Sequence, residues 1–393
     1  MVTGEIVKRA LKLPVKPQGS YFLWGPRQIG KSFLLNQTYK ESTYINLLKT
    51  DEYIKYLNKP WLLREEIEGL LAIKKINKKQ PIIIDEIQRV PLLLDEVHYM
   101  IEEHGLVFVL CGSSARKVKR GHANLLGGRA LRYELHGLTA TELGAKFDLN
   151  KILNCGYIPK HYLSSNPNEL IESYVANYLE EEISAEAIVR SVPVFTEFLR
   201  IAALMDTEIM NYSNIARDCG VSMPTIKQYV QILEDTLLAN LLPSYIKRPK
   251  RRIIQAPKLY NFDIGLVNYL ADRGPLRPKS DLYGKAFENW VYHELRAYNS
   301  YQKQNWRLSY WRLTTGVEVD FIINDMQVAI ECKAKDKITS DDLKGLREII
   351  QDHPTVKKRL LVSLVKEPRL TEDGILILPY MDFIEMLWAG LVT

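Results

Sequence analysis

The chain has 393 residues, 46% hydrophobic and 25% charged, an ordinary globular composition that is too long for one typical core and predicts two to three domains. Lysine plus arginine exceed aspartate plus glutamate by 53 − 47 = 6, a mild excess that permits nucleic-acid binding without demanding it. No run of about 18 apolar residues speaks for a membrane span, no signal peptide is visible, and Cys111, Cys155, Cys219 and Cys332 lack the spacing of a zinc site, so they read as reduced thiols of a cytoplasmic protein.

Short apolar runs at 21–24, 43–47, 81–84 and 106–111 alternate with helical stretches at 32–39, 60–73 and 92–103. That alternation predicts an α/β unit with a largely parallel sheet over residues 1–138. After the first run stand Gly25, Pro26, Arg27, Gln28, Ile29, Gly30, Lys31 and Ser32, which fit G-x-x-x-x-G-K-[ST] without departure. The glycines let backbone N–H groups turn inward around phosphates. Lys31 supplies a point charge to the β- and γ-phosphates of ATP, and Ser32, opening a helix, offers a hydroxyl to Mg²⁺. The run ending in Asp85 and Glu86 is predicted to be a buried parallel strand with two acids at its carboxyl end, where open α/β sheets bind ligands. Asp85 would hold Mg²⁺ through water, and Glu86 would orient or deprotonate the attacking water. A third run ends in Gly112, Ser113 and Ser114. Either Ser113 or Ser114 is a candidate sensor of the γ-phosphate, the alternative being a cap on the next turn.

These three elements, with the strings FLWGPRQIGKS, IIIDEIQ, LCGSSAR and LLGGRALRYELHGLT, resemble one prokaryotic branch of the AAA-type ATPases, a family that couples the ATPase to a winged helix and a C-terminal nuclease-like domain. The resemblance covers most of the chain. It implies a homo-oligomer in which Arg129 acts as an arginine finger on a neighbouring subunit's nucleotide, with Arg116 and Arg132 as rivals.

Residues 139–205 show helical periodicity and read as a lid or linker. Residues 206–271 read as a winged helix-turn-helix: Ser213 and Ser222 at N-cap positions, Gly220 in the turn, and Val221, Ile226, Tyr229 and Val230 in the shared core. Thr225, Lys227, Gln228 and Gln231 are expected to face a DNA groove, and a wing over 241–260 carrying Lys247, Arg248, Lys250, Arg251, Arg252 and Lys258 to meet phosphates. A protein–protein role is the alternative, because Glu234 and Asp235 dilute the charge.

A Pro- and Gly-rich boundary at 272–279 precedes the last domain, 280–393. Within it, 317–323 and 328–333 read as a hairpin. A connection centred on Asp325 and Met326 sets Asp320 opposite Glu331, and a turn at Asn324 and Asp325 shifts the pairing by two. Alternation puts Val317, Val319, Phe321 and Ile323 on one apolar face, and Glu318, Asp320, Glu331 and Lys333 on the other; a bulge would break this. Like charges set opposite one another ask for a cation, so Asp320 and Glu331 are candidate Mg²⁺ ligands and Lys333 the residue that handles the attacking water. The bland alternative is a polar outer face on which Lys333 pairs with Glu318. The spacing is similar to the PD-(D/E)xK nuclease core, which implies a further acid at Glu288 on the preceding helix; Val319 stands where that motif has proline. The expected fold class is therefore α/β: an AAA-type P-loop core with a helical lid and winged helix, and a restriction-endonuclease-like α/β domain. The expected function is ATP hydrolysis acting on DNA, with or without Mg²⁺-dependent cleavage. The alternative is a nucleotide-gated switch that binds a protein or DNA partner without cutting.

Overall fold

The protein is described from a computed structural model, which covers residues 6–114, 130–179, 191–247 and 251–393. They form two compact units, one of residues 9–136 with 235–237, the other built mainly from 137–234 and 238–393.

The first unit is an all-parallel sheet of β1 (Tyr21–Trp24), β2 (Tyr44–Asn46), β3 (Ile82–Asp85), β4 (Phe108–Gly112) and β5 (Leu131–Glu134), in the order β2-β3-β4-β1-β5. Every residue of β1, β3 and β4 is buried, which is why these strands read as unbroken apolar runs rather than alternating ones. Helices Lys31–Thr38, Thr50–Asn58, Leu62–Ala72 and Leu93–His104 connect them. One core joins Ile82 and Ile84 to Leu63, Ile67, Leu93, Val97 and Met100, and each such burial contributes about 1.5–3 kcal/mol. The parallel order brings the carboxyl ends of β1, β3 and β4 side by side. β5 is not an unbroken apolar run, since Leu131 and Arg132 are exposed, and it lies outside the four runs expected.

The second unit begins with short helices from Ala140–Leu143 to Pro167–Tyr174, followed by Val192–Leu204. Helices Tyr212–Asp218 and Met223–Asp235 follow, with Gly220 turning between them at φ 66°. Ser222 caps the second helix as expected, accepting from Thr225 N at 3.3 Å. The first helix is capped by Asn211, which accepts from Asn214 N at 3.1 Å; Ser213 lies inside the helix, two residues too late to reach its open N–H groups. A two-stranded ladder of β6 (Ala239–Leu242) and β7 (Lys258–Asn261) comes next.

The remainder is a six-stranded sheet of β8 (Leu308–Arg312), β9 (Glu318–Ile323), β10 (Val328–Lys333), β11 (Lys358–Ser363), β12 (Arg369–Leu370) and β13 (Ile375–Pro379), in the order β12-β13-β11-β10-β9-β8. Helix Asp281–Tyr301 packs Phe287, Trp290, Val291 and Leu295 on one face, and helix Lys344–Asp352 packs Leu346 and Ile349 on the other. The β9–β10 connection is four residues, with Val328 paired to Ile323 and Ile330 to Phe321, so the register runs on to set Glu331 opposite Asp320. The expected alternation fails. Ser309 pairs with Ile322 but Trp311 with Val319, so β9 carries one extra residue and both Asp320 and Phe321 lie opposite Tyr310. Val317 and Val319 therefore pack with Trp311, while Phe321 and Ile323 pack with the helix Asp281–Tyr301. With both faces of the sheet covered, the hairpin has no solvated side.

Candidate functional site

The loop after β1 is shaped by backbone rather than side chains. A Cβ on Gly25 would sit 2.6 Å from Leu135 O, and Gly30 takes φ 97° just before the helix Lys31–Thr38. Lys31 is 5% exposed and curls back on its own loop, donating to Gly25 O at 2.8 Å and Pro26 O at 2.9 Å. Arg9 braces the loop from outside the motif, donating to Ile29 O at 2.7 Å and His136 O at 2.5 Å. Ser32 Oγ donates to Asp85 Oδ2 at 2.6 Å, so the two expected Mg²⁺-side groups from separate elements meet directly. Tyr44 on β2 donates to the same oxygen at 2.6 Å. This donor set fits a hard cation beside a phosphate: a hydroxyl, a carboxylate 1% exposed, and an ammonium held next to the N-terminus of a helix.

Glu86 follows Asp85 in a left-handed conformation, φ 60° and ψ 42°. Such a turn at a non-glycine residue costs about 1–3 kcal/mol and points to a held side chain. Gln88 Nε2 donates to Glu86 Oε2 and, at 3.1 Å, to Ser113 Oγ. Ser113 is thereby the hydroxyl of its strand end that sits beside Glu86, with Oγ 3.5 Å from Glu86 Oε2. Gln88 and Tyr44 were missed by the sequence analysis, although Gln88 lies only two residues beyond Glu86. Arg129 and its rival Arg116 lie outside the described residues. Arg132 is on β5, half exposed, 3.7 Å from Glu134.

The C-terminal carboxylates do not gather as one set. Asp320 Oδ2 accepts from Cys332 N at 2.8 Å, and its Oδ1 lies 3.6 Å from Lys258 Nζ. Lys258 opens β7, is 3% exposed, and also reaches Glu288 Oε1 at 3.0 Å and Glu318 Oε1. Tyr260 donates to Glu288 at 2.6 Å, and Arg312 pairs with Glu318 at 2.7 Å. Burial pulls the Lys258 ammonium down, but Glu288, Asp320 and Glu318 outweigh it and hold the group well above the ordinary lysine range. Burial, then Asp320, pushes Glu288 up to about 8, and the same two causes push Glu331 well above the carboxylate range. Glu331 Oε1 pairs with Lys333, and its Oε2 is buried without a hydrogen-bond partner. The expected ligand set is thus divided: Glu288 and Asp320 share Lys258, whereas Glu331 faces Lys333. The bland pairing of Lys333 with Glu318 is also absent, since Glu318 is held by Lys258 and Arg312. Among the described residues no group of three or more His, Cys, Asp or Glu is arranged to hold a metal ion.

The basic segment is partly paired within the fold. Lys247 pairs with Asp325, Arg251 grips Asp352 at 3.0 Å and Glu348 at 2.8 Å, and Lys258 is buried as above. Acidic groups of the neighbouring sheet and helix meet these three cations, whereas Arg252 is exposed. Arg248 and Lys250 lie outside the described residues. On helix Met223–Asp235, Lys227, Gln228 and Gln231 are exposed and Thr225 is half-buried. No helix of the described residues is long and apolar enough to cross a membrane.

Residues 18–144 match a family model described as an AAA domain, 146–277 a domain of unknown function (DUF8612) and 283–383 a domain of unknown function (DUF4143). Two curated relatives, the uncharacterized protein Mb2031c of Mycobacterium bovis and the uncharacterized protein Rv2008c of Mycobacterium tuberculosis, are each 25% identical over 311 residues. The match takes in 77% of this chain and 66% of each relative, just under two thirds of their length. Among solved structures, an ORC2 protein of Aeropyrum pernix aligns at 13% identity and a TM-score of 0.36 over 66% of this chain and 87% of that one. A signal transduction ATPase with numerous domains from Pyrococcus horikoshii aligns at 15% identity and a TM-score of 0.23, over 74% of this chain and 46% of that one. At these scores the alignments carry no structural argument. The phosphate loop, the acids that end β3 and the match over residues 18–144 identify the first part of the chain as an AAA-type P-loop ATPase domain.

Proposed function

We propose that this chain hydrolyses ATP with Mg²⁺ and couples the nucleotide cycle to engagement of DNA. The observation that carries the hydrolysis is the meeting of Ser32 with Asp85 beside Lys31, next to a Glu86 held by Gln88 and Ser113. In this reading Lys31 leaves the carbonyls of Gly25 and Pro26 for the β- and γ-phosphates, and Ser32 and Asp85 hold Mg²⁺, which neutralises phosphate charge. Glu86 takes the proton of the attacking water, Ser113 reads the γ-phosphate, and a neighbouring copy supplies Arg129. Residues 206–271 act as a winged helix, with Lys227, Gln228 and Gln231 toward the groove, and residues 280–393 as a nuclease-like domain.

A second reading keeps the ATPase but makes the output a switch that binds a protein partner without cleavage. It is favoured by the internal pairing of Lys247, Arg251 and Lys258. The test is steady-state ATP turnover with and without duplex DNA, with DNA binding measured across salt concentrations. Lys31→Ala and Glu86→Gln are expected to abolish turnover, and undiminished turnover in Lys31→Ala would overturn the ATPase reading. DNA affinity should fall with added salt. A purified protein that binds no DNA at low salt, with or without ATP, would leave the protein-partner reading standing.

A further inference from the structure

Helices Leu149–Cys155, Pro167–Tyr174 and Ile264–Leu270 and the turn over 272–275 line a cleft of about 720 Å³, wholly within the second unit. Clefts of that volume hold small organic ligands. Two groups on its wall are buried short of partners. Asn268 is 6% exposed, and its Nδ2 donates to Leu153 O at 3.0 Å and Asn154 O at 3.3 Å. Those carbonyls fix which end of the amide is which, and the opposite end, Oδ1, accepts from nothing among the described residues. Arg273 Nη2 donates to Ala203 O at 3.3 Å, but its Nε and Nη1 are buried and donate to nothing. Asp206 attracts this guanidinium only through space, because its oxygens are held by Asn261 and Asn289. Folded chains leave few such groups, and an orphan acceptor and orphan donors at one cleft point to a ligand that brings the reverse set.

Charge narrows the ligand further. Among the residues that line the cleft, the charged ones are Asp272 and Arg273, one of each sign and adjacent in the chain. A dianion such as phosphate would meet repulsion from Asp272, whereas a zwitterion finds a partner for each end. Ile171, 3% exposed, with Tyr269 and Pro275, gives the cleft an apolar side. We propose that this cleft binds a zwitterionic α-amino acid with a large apolar side chain. Its carboxylate takes the open N–H groups of Arg273, its ammonium donates to Asn268 Oδ1 beside Asp272, and its side chain packs on Ile171 and Tyr269. The site uses no residue of the phosphate loop and depends on neither ATP hydrolysis nor DNA.

The test is isothermal titration calorimetry and thermal melting of the nucleotide-free full chain with L-tryptophan, L-phenylalanine and L-leucine. At least one should bind at one per chain and raise the melting temperature. The methyl ester of the best binder lacks the carboxylate charge, and its deamino acid lacks the ammonium; each should bind at least roughly tenfold more weakly. Arg273→Lys keeps the charge but not the fork, and should weaken binding by a similar factor. Should Arg273→Lys fail to fold, Gly274→Trp decides. A Cβ at Gly274 meets nothing within 4 Å, so the variant should melt as wild type does while its ring fills the cleft and abolishes binding. The proposal is overturned if none of the three amino acids binds at up to about 10 mM, a Kd too weak for a built site. It is overturned equally if the ester or the deamino acid binds as well as the amino acid, or if folded Gly274→Trp binds undiminished.

Discussion

Replacing Gln88 with leucine separates positioning of the proposed base from support of the fold. Gln88 Nε2 donates to Glu86 and to Ser113, but its Oε1 is buried without a partner. A hydrogen bond to a charged group is worth about 1.5–3 kcal/mol, whereas an unsatisfied buried acceptor costs about 1–3 kcal/mol. Leucine removes both, so global stability in urea should change by less than about 1 kcal/mol. Catalysis should not be spared. Glu86 already sits in a left-handed turn, and without Gln88 its carboxylate loses a close donor on Oε2. If that interaction acts in the transition state, a loss of about 1.5–3 kcal/mol lowers kcat by roughly tenfold to 150-fold. Nucleotide affinity, set by Lys31, Ser32 and the loop backbone, should stay within about twofold, since among the described residues Gln88 bonds Glu86 and Ser113 and not the phosphate loop. The assay is steady-state turnover, with fluorescent-nucleotide titration and urea unfolding on the same samples. Unchanged kcat would refute the positioning role. A kcat that rises would show that Gln88 restrains Glu86 instead of aiming it.

Three further outcomes follow from buried groups elsewhere. Tyr44→Phe removes one of two hydroxyl donors to buried Asp85 and should lower stability by about 1.5–3 kcal/mol in urea unfolding, with an unmoved midpoint counting against the bond. Glu294 is fully buried, accepts from Ala140 N at 2.6 Å, and burial raises its carboxyl from 4.5 to about 8, so the folded state keeps a proton that the unfolded chain has released. Its contribution is therefore full below about pH 4.5 and is lost as pH rises through about 8, at up to about 1.4 kcal/mol per unit. Glu294→Gln should reduce the slope of the stability profile between pH 6 and 8, where Glu288 also contributes and above the range in which Asp206 and Asp263, each raised by burial to about 6, titrate; an unaltered slope would refute the assignment. Gly156 has φ 80°, and a Cβ there would lie 2.1 Å from Asp263 Oδ1, the carboxylate that accepts from Tyr157 N and Ile158 N. Gly156→Ala should cost about 3 kcal/mol or leave the protein insoluble, and a wild-type melting temperature would show that Asp263 moves aside freely.

What could be read in the chain follows how local the determining physics is. The phosphate loop was legible because its chemistry fixes residue types within eight consecutive positions, and the runs of β1, β3 and β4 because burial on both faces leaves an unbroken apolar string. The hairpin register was legible from residue count, and the four-residue connection between Ile323 and Val328 meets it. The facing of its side chains was not. One extra residue in β9 opposite Tyr310 reverses the parity between Val319 and Phe321, and no residue type announces a bulge of that kind. Tyr44 escaped for a related reason: its hydroxyl reaches Asp85 only because β2 pairs with β3.

The basic segment shows how far charge content falls short of naming a partner. Six lysines and arginines between 247 and 258 read as a phosphate-facing wing because isolated cations on a loop are cheapest in water. Yet the acids that would meet them are spread over the following hundred residues, at Glu288, Glu318, Asp320, Asp325, Glu348 and Asp352. Each element looks solvated by itself, and only the tertiary fold brings Lys247, Arg251 and Lys258 to these acids. The pairing also has a direction. Lys247 and Asp325 pair at exposed positions, where salt screens the attraction and the link is weak, whereas Arg251 meets an Asp352 that is 2% exposed. Lys258 sits where withdrawal would strand Glu288, Glu318 and Asp320 together. Breaking a buried pair by removing one partner costs about 3–5 kcal/mol. Any movement of β7 away from the six-stranded sheet must therefore be matched by another cation or by protonation of these carboxylates, of which Glu288 is already raised to about 8.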